Sequence, residues 1–266
     1  MDNRPIGFFD SGLGGLTSVH ELHKKLPDEK VIYFGDTART PYGSKSPDTI
    51  REFATQIVDY LVEHDSKMII IACNTATAMA LNSLRERYSN IPILGVIEPT
   101  VKKVISDGCN KVGVIATKAT IGSDVYGKSL KALKPDIEVT SIACPAIVPL
   151  VEEGIIDDDI MELTIRHYMD KWVGENDFDN LILGCTHYPL VSKIISSLYP
   201  NLKLYNSSAE VINEAEEILR KKDMLAGSNN YNDRYYASDV SDNFIAMTDL
   251  LCQDRDSKIK LVKMPE

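Results

Sequence analysis

The sequence predicts an α/β fold of two pseudo-symmetric lobes, each a mostly parallel sheet flanked by helices, with an active site in the cleft between them. Strand-like apolar segments alternate with segments of helical spacing along the 266 residues. Two strand-like segments, Met68–Thr75 and Asn180–His187, resemble each other: each is an apolar run, a small residue, a cysteine and then polar residues. Such continuous apolar runs are typical of strands buried on both faces of a parallel sheet. The repeated pattern indicates two similar lobes.

The first part of the chain is predicted to contain four strands and three helices. The strands are Ile6–Phe9, Val31–Phe34, the first cysteine segment and Ile93–Val96. One helix ends near Lys25, a second begins at Pro47 and a third spans Thr75–Tyr88. Ser46 before Pro47 predicts an N-cap followed by proline at the first helical position. We interpret Ile97-Glu98-Pro99 as the crossover to the second lobe.

The same alternation continues to the end of the chain. Strands are predicted at Lys111–Ala116, Glu138–Ala143, the second cysteine segment, Leu202–Tyr205, Arg234–Ala237 and Lys258–Val262. Helices are predicted after the polar turn 117–120 to about Leu133, across 147–153, 157–173 and 241–251, and from the capping-box pattern Ser207-Ser208-Ala209-Glu210 to about Lys222. We expect residues 1–96 and 208–266 to form one lobe and residues 97–207 the other.

Composition favours a cytoplasmic protein that acts on a small molecule. The net charge is −10 and no basic run is present, which argues against nucleic acid as the main partner. No apolar run approaches the roughly 20 residues of a membrane span, and the first residues lack the regions of a signal peptide. The five cysteines include no C-x-x-C pair, so we expect reduced thiols. His20 and His23 lack a third ligand, and no metal site is predicted.

Cys73 and Cys185 are the first candidates for chemistry. Each lies at the carboxyl end of a predicted strand, where the sites of parallel sheets gather. Each is also expected to precede a helix whose positive end lowers the pKa of the thiol. A lone cysteine on an apolar strand is more often a small core residue, but two in matching polar contexts favour a paired site. Cys109, Cys144 and Cys252 lack this context and are interpreted as structural.

Three further polar segments surround these candidates. Asp10-Ser11-Gly12-Leu13-Gly14-Gly15 is a strand-to-helix turn that either is simply tight or binds a carboxylate or phosphate through its N–H groups; it has neither P-loop nor dinucleotide spacing. Asp36 and Pro41-Tyr42-Gly43 follow the second strand on the same rim as Cys73, with turn chemistry as the alternative. His187 is a candidate to donate a proton or to polarise the Cys185 thiol, with a capping or core histidine as the alternative. Neutral donors of this kind suit the carboxylates of an amino acid.

Taken together, these segments resemble the glutamate racemase family. The matching stretches are residues 9–15 (FDSGLGG), 36–43 (DTARTPYG), 72–76 (ACNTA) and 184–189 (GCTHYP). The resemblance implies a cofactor-independent enzyme with two α/β lobes that supplies D-glutamate for peptidoglycan, commonly as a homodimer. It implies that Cys73 takes the α-proton from D-glutamate and Cys185 takes it from L-glutamate.

The resemblance also implies roles for the residues around the thiols. Asp10 and His187 match positions that assist the two cysteines, and Asp36 and Glu152 match acidic positions with weaker supporting roles. The positions that match substrate contacts are Asp10, Ser11, Pro41, Tyr42, Gly43, Asn74, Thr75, Thr117, Thr120, Thr186 and His187. Inverting a stereocentre without a cofactor requires a base on one face and an acid on the other, which two thiols can provide in both directions.

Two alternatives remain open from the sequence. The first is a related two-thiol enzyme, such as an aspartate or hydantoin racemase or an arylmalonate-type decarboxylase; the Asp-Ser-Gly and Pro-Tyr-Gly motifs favour glutamate, but the pocket size is not readable from the sequence. The second is a non-enzymatic amino-acid-binding or redox-sensing module in which Cys73 and Cys185 form a disulfide. Exchange of the substrate α-hydrogen with solvent would separate catalysis from binding.

Overall fold

Two parallel sheets form the framework of the computed structural model, which describes residues 1–227, 232–252 and 259–264. Within these residues the strands are β1 (Ile6–Asp10), β2 (Val31–Gly35), β3 (Met68–Ile71), β4 (Ile93–Gly95), β5 (Lys111–Ala116), β6 (Glu138–Ala143), β7 (Asn180–Gly184), β8 (Lys203–Asn206), β9 (Arg234–Ala237) and β10 (Ile259–Leu261). The sheet orders are β10-β9-β2-β1-β3-β4 and β6-β5-β7-β8, and every pair is parallel. The predicted α/β fold of two parallel sheets is confirmed.

Helices pack on these sheets. They are α1 (Leu16–Lys25), α2 (Pro47–Glu63), α3 (Asn74–Arg87), α4 (Ile97–Ser106), α5 (Lys118–Ser123), α6 (Val125–Leu133), α7 (Ile147–Glu152), α8 (Asp159–Glu175), α9 (Ser192–Leu198), α10 (Ser207–Lys221) and α11 (Asp242–Leu251). Because helices cover both faces of the first sheet, β1, β2 and β3 are buried at every residue. Among the described residues, no helix combines the length and apolarity needed to cross a membrane.

Alternate residues of the central strands point into two separate cores. Ile69 and Ile71 of β3 pack with α2 and α3, whereas Met68 and Ile70 face the other core. That second core is continuous with the interior of the second sheet, where it includes Val114 of β5. The two sheets are therefore joined by shared apolar packing, which holds the carboxyl ends of their strands near one another.

Several helix starts agree with the sequence. The Ser46 hydroxyl accepts a hydrogen bond from the Thr49 N–H at 3.3 Å, with Pro47 at the first helical position, as predicted. Ser241 caps α11 in the same way by accepting from the Phe244 N–H. The strand predicted at Lys258–Val262 is observed as β10, while Lys258 lies outside the described residues.

Residues 97–99, interpreted as the crossover, form the first turn of helix α4, which lies between β4 of the first sheet and β5 of the second. This turn tolerates Pro99 because N–H groups there have no intrahelical partner. Two other predictions of local structure need correction. The single helix predicted to Leu133 is split at Asp124, whose φ of 53° is left-handed. The N-cap of α10 is Asn206, which accepts from the Ser208 N–H, so Ser207 is not the cap expected from the capping-box pattern.

The strands of the first sheet come from residues 6–95 and 234–261, and those of the second from residues 111–206. Residues 208–266 are called the return segment below. Their described part joins the first sheet through β9, which pairs with β2. The lobe boundaries at residues 96 and 207 stay a prediction. Residues 228–231, 253–258 and 265–266 of the predicted first lobe lie outside the described residues.

Candidate active site

A cavity of about 220 Å³ lies at the carboxyl ends of the strands, between residues of both lobes. The predicted site residues that line it are Ser11, Pro41, Tyr42, Gly43, Cys73, Asn74, Thr75, Thr117, Cys185, Thr186 and His187. The other predicted residues, Asp10, Asp36, Glu152 and Thr120, are not part of its lining. Each of them contacts a lining residue: Asp10 contacts Thr186, Asp36 contacts Tyr42, Glu152 contacts His187 and Thr120 contacts Thr75.

Cys73 follows β3 and is the N-cap of α3. Its Sγ accepts a hydrogen bond from the Ala76 N–H at 3.4 Å and lies 3.6 Å from the Ser11 hydroxyl, to which the thiol donates. The sequence predicts a lowered thiol pKa at this helix end, and that prediction is wrong. Burial, followed by the nearby Asp10, raises the pKa of Cys73 to about 12 and outweighs its hydrogen bonds with Ala76 and Ser11.

Cys185 follows β7 in the other lobe and is equally buried, at 5% exposure. The next regular element is a 3₁₀ turn at Tyr188–Val191, so the expected α-helix start at Cys185 is not present. The Cys185 thiol has a histidine beside it in place of a helix N-terminus. Nδ1 of His187 lies 3.7 Å from the Cys185 Sγ, within the range of a hydrogen bond to sulfur.

His187 also pairs with Glu152, the last residue of α7. Its Nε2 lies 3.3 Å from Oε1 of Glu152. Burial works against the charged imidazole, but Cys185 and then Glu152 outweigh it and raise the pKa of His187 to about 10. The imidazole is therefore protonated at neutral pH, and Glu152 holds this cation beside the Cys185 thiol.

Asp10 is fully buried at the end of β1, behind the cavity wall. One carboxylate oxygen accepts from the Gly12 N–H at 3.0 Å, and the other accepts from the Thr186 hydroxyl of the opposite lobe at 3.3 Å. Burial raises the pKa of Asp10. Within the glycine-rich turn, the Gly12 N–H thus bonds to the Asp10 carboxylate, and Ser11 lines the cavity. Binding of a ligand carboxylate or phosphate by this turn stays a prediction.

Gly14 allows this turn to pack directly on the Cys185 loop. A Cβ atom at Gly14 would lie 2.5 Å from Oγ1 of Thr186 and 2.7 Å from Nδ1 of His187. Carbon atoms do not approach polar atoms this closely without displacement, so a side chain here would push the two loops apart. Gly14 thus permits close contact between the turn after β1 and the loop that carries Cys185.

Three threonines form a second contact between the lobes. The hydroxyls of Thr75, Thr117 and Thr120 lie 3.0 to 3.2 Å from one another. Thr75 belongs to the first turn of α3, and Thr117 is the N-cap of α5. The first two line the cavity and Thr120 supports them from behind, so this cluster presents hydroxyl groups to a ligand.

Asp36 is buried and supports the Tyr42 loop. Its carboxylate accepts from the Tyr42 hydroxyl at 2.5 Å and from Nε of Arg39 at 2.8 Å. Burial and the charge of Asp36 raise the pKa of Tyr42 well above its ordinary value, so the phenol stays protonated. The structure places Asp36 where it orients Tyr42, at the back of the cavity wall.

Six lining residues were not predicted: Thr40, Ser44, Lys118, Pro145, Val148 and Pro149. Thr40 and Ser44 flank the Pro-Tyr-Gly motif and Lys118 follows Thr117, so proximity to a motif was the signal for these three. The apolar wall formed by Pro145, Val148 and Pro149 carries no chemical motif, and no sequence signal marked it. Among the described residues, no group of three His, Cys, Asp or Glu side chains is arranged to hold a metal ion.

Known proteins are similar to this chain in sequence and fold. A sequence profile of the Asp/Glu/Hydantoin racemase family matches residues 16–221. The glutamate racemase of Geobacter metallireducens is 44% identical, and the alignment covers 92% of this chain and 91% of that protein. The glutamate racemase of Streptococcus gordonii is 46% identical, and the alignment covers 82% of this chain and 83% of that protein. The crystal structure of the Francisella tularensis glutamate racemase with D-glutamate superposes with a TM-score of 0.92, at 39% identity, covering 99% of this chain and 98% of that one.

Proposed function

Because the chain belongs to the Asp/Glu/Hydantoin racemase family, we propose that it interconverts L- and D-glutamate without a cofactor. The observation that carries the proposal is the position of the two thiols. Cys73 and Cys185 come from different lobes and line one small cavity together with neutral hydroxyl and amide groups. The high identity to glutamate racemases along nearly the whole chain supports glutamate as the substrate.

The two thiols exchange roles in the proposed reaction. With L-glutamate, the Cys185 thiolate removes the α-proton, and the Cys73 thiol gives its proton to the opposite face of the resulting carbanion. With D-glutamate the Cys73 thiolate is the base and Cys185 is the acid. One thiol must be ionised while the other is protonated, so their titrations are coupled.

The groups behind the two thiols differ. Nδ1 of His187 lies 3.7 Å from the Cys185 Sγ, whereas burial and the nearby Asp10 raise the pKa of Cys73 and so disfavour its thiolate. A bound amino acid brings its α-ammonium group into this buried site, and that positive charge favours ionisation of whichever thiol is to act as the base. Binding of the substrate therefore contributes to activating the base.

The remaining lining residues hold the substrate and its carbanion. Hydroxyl and amide groups of Ser11, Asn74, Thr75, Thr117 and Thr186 supply hydrogen bonds to the two carboxylates and to the charge that develops on the α-carboxylate. The Asn74 side chain is fixed for this role because its Oδ1 accepts from the Tyr126 hydroxyl at 2.6 Å. Such donors cost no reorganisation when charge appears.

The proposal extends to the setting of the reaction. D-Glutamate made in this way would supply peptidoglycan synthesis in the cytoplasm, and the protein would act as a homodimer. The resemblance of the four motifs to glutamate racemases supports these points.

Incubation of the metal-free, cofactor-free protein with L-glutamate in D₂O tests the function. Circular dichroism follows the loss of optical activity, and mass spectrometry follows deuterium at the α-carbon. Loss of optical activity with deuterium gain is the expected result. Reaction of L-aspartate with inert L-glutamate would overturn the substrate, and no exchange together with a Cys73–Cys185 disulfide on mild oxidation would favour the binding or redox module.

A further inference from the structure

Ser238 lies directly after β9 and reaches the loop that follows β2. It is 8% exposed, and its hydroxyl donates to Oδ1 of Asp36 at 2.8 Å while it accepts from the Ala38 N–H at 2.9 Å. Its own N–H donates to the Gly35 carbonyl at 3.0 Å, which continues the pairing of β9 with β2. One side chain from the return segment is therefore bonded to both the backbone and the carboxylate of the Asp36 loop.

The hydrogen bonds of Asp36 leave its carboxylate little freedom to rotate. Oδ1 receives the Ser238 hydroxyl and Oδ2 receives the Tyr42 hydroxyl, while Nε of Arg39 lies within 3.0 Å of both oxygens. The Arg39 guanidinium is itself held 3.9 Å above the ring of Phe53. The orientation of the carboxylate thus fixes where the Tyr42 phenol sits, and Tyr42 lines the cavity.

Thr37 and Asp239 form a second contact between the loop after β2 and the return segment. The Thr37 hydroxyl donates to the Asp239 carbonyl and accepts from the Asp239 N–H. The loop that carries Tyr42 and Gly43 is braced on its outer side by residues about 200 positions later in the chain.

We propose that Ser238 is a positioning residue for the substrate, acting through Asp36 on Tyr42 and the adjoining Gly43. The inference rests on the proposed glutamate racemase function. Without the Ser238 hydroxyl, Oδ1 of Asp36 loses its neutral donor and the Ala38 N–H loses its acceptor, so the carboxylate turns and Tyr42 shifts at the cavity wall. The Tyr42 hydroxyl donates to Asp36, whereas the thiols contact Ser11, Ala76 and His187. We therefore expect the effect to fall on substrate binding more than on proton transfer.

Two variants separate this role from a general loss of stability. Ser238→Ala removes the hydroxyl, whereas Ser238→Thr keeps it. Ser241→Ala is the matched control, because it removes the N-cap of α11 in the same return segment and so lowers stability. Within the part of the chain that the structure describes, the Ser241 hydroxyl bonds to the Phe244 N–H and not to the Asp36 loop.

The experiment measures KM and kcat for both glutamate enantiomers, with denaturant unfolding of each variant. We expect Ser238→Ala to raise KM about three- to tenfold in both directions, the range for loss of one hydrogen bond, with kcat changed less than KM. Ser238→Thr should lie nearer the wild type, and Ser241→Ala should lower stability at unchanged KM. An unchanged KM in Ser238→Ala, or an equal rise in Ser241→Ala, would overturn the role of Ser238.

Calorimetric binding of D-glutamate to the same proteins distinguishes failure of this inference from failure of the proposed function. A wild-type protein that binds D-glutamate but does not racemise it would overturn the function, and weaker binding by Ser238→Ala would still support the positioning role. A wild-type protein that neither binds nor racemises glutamate would overturn both.

Discussion

The Nδ1 atom of His187 lies 3.7 Å from the Sγ of Cys185, so a buried cation stands beside one of the two thiols. For the other thiol, Cys73, the charge that acts most strongly among the described residues is the carboxylate of Asp10. The two lobes resemble each other in their strands, but their thiols lie in electrostatically opposite surroundings. The two thiols therefore differ in their nearest charged neighbour, an imidazole for Cys185 and a carboxylate for Cys73.

The protonation of His187 predicts a pH dependence of stability. Its folded pKa of about 10 lies above the ordinary value of 6.5, so its contribution to stability is fully present below about pH 6.5 and is lost as the pH rises through about 10. We expect the difference in unfolding free energy between the wild type and His187→Asn to shrink over this range, as measured by denaturant titration. The exposed His167 on α8 provides the control His167→Asn. Parallel curves for the wild type and His187→Asn would contradict the assignment.

Gly14→Ala is predicted to separate the two loops that carry the site. The new Cβ would meet Thr186 and His187 at 2.5 and 2.7 Å, so it should destabilise the protein by about 1–3 kcal/mol and reduce kcat/KM. Gly174→Ala in α8 is the matched control, because a Cβ there meets open space and alanine favours a helix. Thermal unfolding and racemisation assays test both variants. Equal behaviour of the two would refute the requirement for close approach at Gly14.

A buried ion pair at the opposite end of the first sheet is predicted to affect stability alone. Nζ of Lys67 lies 2.6 Å from Oε2 of Glu29, both side chains are almost fully buried, and Nζ also donates to the carbonyls of Asp2 and Met224. Lys67→Met leaves the Glu29 carboxylate buried without its cation and should cost about 3–5 kcal/mol. Lys67 precedes β3 whereas Cys73 follows it, so kcat of the folded protein should not change.

The control for this prediction is the exposed pair of Lys171 with Glu175 on α8. Lys171→Met should change the unfolding free energy by less than about 0.5 kcal/mol. The double variant Lys67→Met/Glu29→Gln should recover part of the loss, because it removes the unpaired charge. A double variant no more stable than Lys67→Met would show that the loss comes from packing or from the two carbonyl bonds.

The parts of the fold and site that follow from local patterns were predictable. The apolar runs before Cys73 and Cys185 locate two strands, and a residue directly after a parallel strand must lie at the functional edge of its sheet. Ser46-Pro47 likewise marks a helix start from two residues alone. Such signals do not depend on how distant segments meet.

The parts of the fold and site that depend on tertiary neighbours were not predictable. Ser238 meets Asp36 only because β9 is placed beside β2, and no local pattern gives that strand order. The sequence showed a helix end at Cys73 but neither its burial nor the approach of Asp10, so the direction of its pKa was predicted wrongly. The apolar wall from Pro145 to Pro149 has the composition of any core segment.

The most direct test of the two-thiol account is α-hydrogen exchange by Cys73→Ser and Cys185→Ser with each glutamate enantiomer in D₂O. Long incubations are needed, because the protonated thiol must itself exchange with solvent before it returns deuterium. The account predicts no racemisation by either variant, with exchange of L-glutamate kept by Cys73→Ser and exchange of D-glutamate kept by Cys185→Ser. Near-normal racemisation by either variant, or loss of exchange of the same enantiomer in both, would contradict it.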